Sequence, residues 1–139
     1  MKSFILAVAC LLTVSASAQA QSELDKALAP LGERAKASAM VVHWNADHSY
    51  RTLQEGTSQQ VCYDRSSERG RGAFAVQCTS KANLDRVAQN RRFRAETTDR
   101  AGENAMIAAA EANGTRAEVA YGSMWIAMSG DDMGSAGIH

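Results

Sequence analysis

The sequence is poor in the residue types that announce most chemistries. Three histidines are all that a chain of 139 residues offers as bases near neutral pH, and no Gly-x-Ser-x-Gly elbow sets a nucleophile beside one of them. A small hydrolase built on His43, His48 or His139 is therefore the third-ranked reading, and no cofactor is expected. Basic and acidic residues balance at 15 each, which excludes a general electrostatic pull toward nucleic acid or an anionic membrane surface. There is one proline, no internal repeat and no linker-like stretch, so a single domain is expected. The apolar run Phe4 to Val14 is too short to cross a bilayer, which argues against a transmembrane anchor.

That run instead suits export. Met1-Lys2 gives a positive start, Phe4 to Val14 has the length of a signal-peptide core, and Ala18-Gln19-Ala20 is an A-x-A cleavage site. Residues 1–20 are thus expected to be a signal peptide, with a mature domain of residues 21–139, secreted or periplasmic, beginning at Gln21. Cys10 leaves with the leader. Cys62 and Cys78 remain as an even pair in an oxidising compartment, where disulfides persist.

The pair sits in the most informative stretch, Thr57 to Ser80. Val61-Cys62-Tyr63 and Ala73 to Cys78 are rich in strand-forming residues, and the polar segment between them carries Gly70 and Gly72. A fold-back centred on Gly70 sets Cys62 directly opposite Cys78, within disulfide reach. Two unpaired buried thiols are the alternative.

Around this hairpin the pattern predicts an α+β domain. Leu24, Leu28, Leu31 and Ala35 lie along one side of an N-terminal helix, interrupted by Pro30. Met40–Trp44 and Tyr50–Glu55 read as a first hairpin across the turn residues 45–48, which with the second gives an antiparallel meander. Ser80 caps a helix with a thin apolar stripe of Leu84, Val87, Ala88 and Ala95. Its arginines, Arg86, Arg91, Arg92 and Arg94, with Arg100 beyond, read as a solvated face whose stems lie over apolar surface. Thr97 or Thr98 opens an alanine-rich helix ended by Asn113-Gly114, and Asn113-Gly114-Thr115 also matches a glycosylation acceptor. A last strand is expected over 117–128, its segment Met124–Met128 apolar on both faces and hence central. The expected architecture is an antiparallel sheet of four to five strands with helices packed on one face and one disulfide-stapled hairpin.

Glu55-Gly56-Thr57, then Cys62, Cys78, Tyr121, Gly130 and the closing Gly137-Ile138-His139 resemble a group of small secreted bacterial proteins of uncharacterised function. Their pattern runs R-E-G-T-N-x-x-x-C, a second cysteine, Y-M-L-x-G and a G-P-H-V-M strand. The resemblance covers the chain from Leu53 onward, with Ser58 where the pattern has asparagine. It implies a strand continuing beyond His139, and it brings no activity with it.

Two site readings remain. Met124, Met128, Met133 and His139 form a soft donor set suited to copper, against which Met124 and Met128 read as ordinary core on a buried strand. Asp131-Asp132 lacks calcium-loop spacing. The leading expectation is a non-catalytic binding or interaction module of the cell envelope or extracellular space, its partner a protein or small ligand. A soft-metal binding protein is the alternative.

Overall fold

The computed structural model describes residues 18–139. Most of the expected signal peptide, Cys10 included, lies outside the described residues. Residues 18–27 are helical and are called α1 here. Pro30 then breaks the helix, and a separate short helix α2 follows at Glu33–Ser38. The strands are β1 Met40–Trp44, β2 Tyr50–Gln54, β3 Gln60–Asp64, β4 Phe74–Ser80, β5 Ile126–Gly130 and β6 Gly137–Ile138. Between β4 and β5 lie a 3-10 turn at Lys81–Asn83, α3 at Leu84–Glu96 and α4 at Arg100–Ala112. The chain is α+β as expected, with six strands in place of four to five.

The sheet order is β2-β1-β3-β4-β5-β6. Its two hairpins, β1–β2 and β3–β4, are joined by parallel pairing of Met40 with Val61 and Val41 with Cys62, so the meander expectation is corrected. The reason lies at Gly56. After β2 the chain crosses over the start of β1, where a Cβ on Gly56 would sit 2.2 Å from the Met40 nitrogen and 2.5 Å from the Ala39 carbonyl carbon. Only a glycine lets the two backbones approach that closely. Past the crossing, the Ser38 carbonyl accepts from the Ser58 N–H at 3.0 Å and the Ser58 hydroxyl at 2.9 Å. That fixes the start of β3 on the far side of β1.

The β3–β4 hairpin has the expected register. Cys62 pairs with Cys78, and the two form a disulfide with 4.1 Å between Cα atoms. Gly70, in the turn, has φ +74°, which glycine accepts freely. Replacing Cys62 by Ser should lower stability by about 3 kcal/mol, the chain-entropy value for a loop of about 15 residues. A thermal melt of the variant beside the reduced wild type checks this, since both should lose the same amount.

Helices cover both faces of the sheet, where one was expected. Val41, Cys62 and Cys78 pack against Ala27, Leu28 and Leu31. Met40, Val42, Trp44, Val61 and Tyr63 point the other way, against Leu84 and Val87 of α3. Interior strands whose successive residues are nearly all buried require two covers.

The segment before β5 also departs from expectation. Residues 117–125 form no strand, because side chains of α3 and its preceding turn take up their polar groups. The buried Asn83 amide donates to Thr79 Oγ1 at 2.8 Å and Ser123 Oγ at 2.9 Å, and its oxygen accepts from the Ala120 N–H at 2.7 Å. Arg86 Nη1 donates to the Ala117 carbonyl at 2.6 Å. Met124 is consequently exposed, and Met128 half-buried, neither being the fully buried core of a central strand. Asn83→Ala leaves Thr79 Oγ1 and the Ala120 N–H without a partner, and a loss of about 2–3 kcal/mol is expected. Hydrogen exchange should localise that loss to residues 117–125.

Candidate functional site

Charge gathers on the α3 side of the sheet, at the turn linking β3 to β4. Asp64 Oδ1 accepts from the Ser66 N–H at 2.8 Å and the Arg65 N–H donates to the Ala75 carbonyl at 2.7 Å, which curls residues 65–71 back over the sheet. This brings Glu68 onto α3, where Arg91 and Arg94 share one face by their spacing. Glu68 Oε2 accepts from Arg65 Nε at 3.0 Å and Arg65 Nη2 at 2.8 Å, and from Arg94 Nη1; Oε1 accepts from Arg91 Nη1. Its side chain is 5 % exposed.

A second carboxylate, Glu103 on α4, takes the other edge of the Arg94 guanidinium, at 3.2 Å to Nε and 2.6 Å to Nη2. Arg69 reaches the C-terminus of α3, donating to the carbonyls of Arg94 and Asp99 and to Thr97 Oγ1 at 3.2–3.4 Å. Cations there complement the helix dipole. Arg91 also lies over the Trp44 ring, 5.3 Å from its centroid.

Two carboxylates thus face five guanidiniums, those of Arg65, Arg69, Arg71, Arg91 and Arg94. The surplus is positive, and burial together with the charges of Arg65 and Arg94 pulls the Arg71 pKa down. Burial alone would raise the Glu68 carboxyl, but the hydrogen bonds and charges of Arg65, Arg91 and Arg94 outweigh it and hold its pKa below the ordinary 4.5. A carboxyl whose pKa is lowered by folding stabilises the fold fully above its unfolded value, and that contribution disappears as pH falls through the folded value. The melting temperature should therefore hold steady above pH 4.5 and fall below it. Glu68→Gln should flatten that acid limb, as measured by melts across the pH series.

Beside the cluster opens a cleft of about 300 Å³, lined by His48, Ser67, Arg69, Arg91, Arg94 and Thr97 among others. His48 comes from the β1–β2 turn, where the Asn45 carbonyl accepts from its N–H at 3.1 Å and its φ is +67°. The cleft is therefore walled by three separate parts of the chain, all tied to the same sheet.

The residues singled out from sequence fare unevenly. Cys62 and Cys78 are a structural staple under α1 and α2. The four soft donors do not converge. Met124 stands exposed in the 117–125 loop, and Met133 is half-exposed beside Phe74. Met128 pairs with Val76 on the α1 side, while His139 pairs with Ala127 on the opposite face and meets Ser129 Oγ at 3.2 Å. No group of three or more His, Cys, Asp or Glu suited to a metal ion exists among the described residues. Arg91 and Arg94 are not the solvated face expected, being 12 % and 11 % exposed. His43 sits against Glu23 of α1. Sequence reasoning missed Glu68, Arg65 and Arg69, whose one signal was the charge density of the Arg65–Arg71 turn.

Among the described residues no helix is long and apolar enough to cross a membrane. No protein-family profile, no curated protein and no solved structure matches the chain.

Proposed function

We propose that the protein is an exported, non-catalytic binding module of the cell envelope or extracellular space, with the arginine-walled cleft as its binding surface. The observation that carries this is the surplus of half-buried positive charge lining a preformed concavity. A fold needing only to hold its turn on α3 would match each guanidinium with a carboxylate, whereas here three guanidiniums, those of Arg65, Arg91 and Arg94, are held largely out of water against the two carboxylates of Glu68 and Glu103, with the third-exposed Arg69 and Arg71 beside them. Ser67 and His48 line the cleft with no hydrogen bond between them among the described residues, so the base-activated nucleophile of a hydrolase is not assembled. The dispersal of Met124, Met128, Met133 and His139 favours the cleft over a soft-metal site.

Export is supported by the leader pattern of residues 1–20 and by a disulfide of the kind that lasts in oxidising compartments. Residues 18–22 are exposed, so cleavage before Gln21 leaves Leu24, Ala27, Leu28 and Leu31 in place. Kinship with the small secreted bacterial proteins that share its cysteine and glycine pattern is proposed with it.

The test is the native mass of the protein recovered from periplasm or culture medium, with amide spectra of the same sample titrated with a small-molecule filtrate of its source cells. A chain starting at Gln21, two hydrogens short, whose cleft amides respond to the filtrate and whose Ser67→Trp variant does not, supports the proposal. Free thiols, an uncleaved leader, or cleft amides indifferent to the filtrate would sink it.

A further inference from the structure

Resting on that reading of the cleft, we infer the class of its ligand: a tetrahedral oxyanion, phosphate or sulfate, free or carried as the monoester of a small molecule. Four buried side-chain nitrogens have no hydrogen-bond partner among the described residues; two of them, His48 Nδ1 and Arg91 Nε, belong to residues that line the cleft, and a third, Trp44 Nε1, to the ring that Arg91 covers. Trp44 and Arg91 are in contact and also line a small recess that shares Ser67 with the cleft and is closed on its far side by Glu23, His43 and Asp64, while His48 and Arg91 both line the cleft itself. Trp44 Nε1 and Arg91 Nε are donors by their chemistry and His48 Nδ1 is one in its Nδ1–H form; unpaired buried donors cost free energy, so their concentration points to an acceptor that arrives from outside.

The charge and the geometry narrow that acceptor. The surplus of guanidinium charge asks for an anion. A planar carboxylate would be satisfied by a single guanidinium fork, whereas these groups come from separate parts of the chain, the β1–β2 turn and α3, with Ser67 of the β3–β4 turn lining the same cleft. Donors converging from several directions suit an anion whose oxygens diverge tetrahedrally. The one carboxylate lining the cleft itself, Glu68, does not repel it strongly, because Arg65, Arg91 and Arg94 already engage both of its oxygens, and those of the adjoining recess, Glu23 and Asp64, are paired with His43 and Lys26.

His48 adds an independent sign. It is the only residue other than glycine with positive φ among the described residues, at a turn position where glycine would sit without strain. Left-handed backbone is disfavoured for a residue with a Cβ. Strain of this kind concentrates where a side chain is wanted for its chemistry, and here the imidazole it delivers faces the cleft. His48→Gly therefore removes the imidazole while relieving the backbone, which separates a binding role from a folding role.

The experiment is a titration of the mature, disulfide-bonded protein with inorganic phosphate, inorganic sulfate, glucose 1-phosphate, acetate and glucose. Amide shifts of Ser67, Arg69 and Thr97 report occupancy, and calorimetry reports affinity. Phosphate, sulfate and glucose 1-phosphate are expected to move these amides, and acetate and glucose to leave them in place. His48→Gly is expected to melt no lower than wild type and to bind about tenfold more weakly or worse. Arg91→Lys, which keeps the charge and removes Nε, is expected to weaken binding likewise. A monoester that binds more tightly than inorganic phosphate identifies the ester as the source of the anion, and equal affinity identifies the free ion. Cleft amides that ignore all three anions yet respond to the cell filtrate overturn the oxyanion assignment and leave the binding module standing. Unaltered anion affinity in both variants also overturns it, and amides that ignore the filtrate as well mean that the binding reading itself has failed.

Discussion

Replacing Glu68 by alanine should destabilise the protein by about 3–5 kcal/mol, the range for removing one partner of a buried ion pair. The side chains of Arg65, Arg91 and Arg94 are each no more than 12 % exposed, and all three lose their shared acceptor at once. What remains is like charge at close quarters, with only Glu103 left to offset it through Arg94. Glu68→Gln keeps one acceptor oxygen and should lose less. Equilibrium denaturation of the two variants checks the order, and a loss below about 1 kcal/mol for the alanine variant would mean the cluster is a screened surface network. Phosphate should raise the melting temperature of wild type, and that of His48→Gly by less at the same concentration.

Gly56→Ala should be of comparable severity by another route. Its Cβ would meet three backbone atoms, the Met40 nitrogen at 2.2 Å, the Ala39 carbonyl carbon at 2.5 Å and the Ser38 oxygen at 2.7 Å. Backbone cannot swing aside as the end of a long side chain can, so relief requires moving the β2–β3 crossing off β1. That movement would break the bonds from Ser58 to Ser38 and disturb the parallel register behind them. A loss on the order of 4 kcal/mol or more is expected, and Gly32→Ala, with open space around its Cβ, supplies the control that should stay folded. A Gly56→Ala protein that melts with wild type would show that the crossing has room for a Cβ.

The contrast between hairpin and cluster explains what the sequence could reveal. The Cys62–Cys78 register was readable because it depends on a turn of a few residues and on strand period alone. Pro30 likewise divides α1 from α2 by a local rule. The crossing at Gly56 was not readable, since the need for glycine there is set by Ser38 to Met40 arriving from elsewhere. Arg91 and Arg94 looked like surface because their partner, Glu68, lies 23 and 26 residues away along the chain. The expected strand over 117–128 failed for the same kind of reason: Asn83, 37 residues before Ala120, takes the N–H that a ladder would have used.

The parallel joint between β1 and β3 has a further consequence, for how the molecule comes apart. It couples two locally closed hairpins through a short register, and the disulfide lies wholly within one of them. The staple therefore cannot hold the seam; what spans it is the parallel pairing, the bonds from Ser58 to Ser38 and side-chain packing on both faces, with Ala27 and Leu28 above and Leu84 and Val87 below. The cleft straddles the same seam, with His48 belonging to one hairpin and Ser67 to the other. An anion held between them would act as a second staple, reversible and chemically selective, across the joint that the covalent one leaves open.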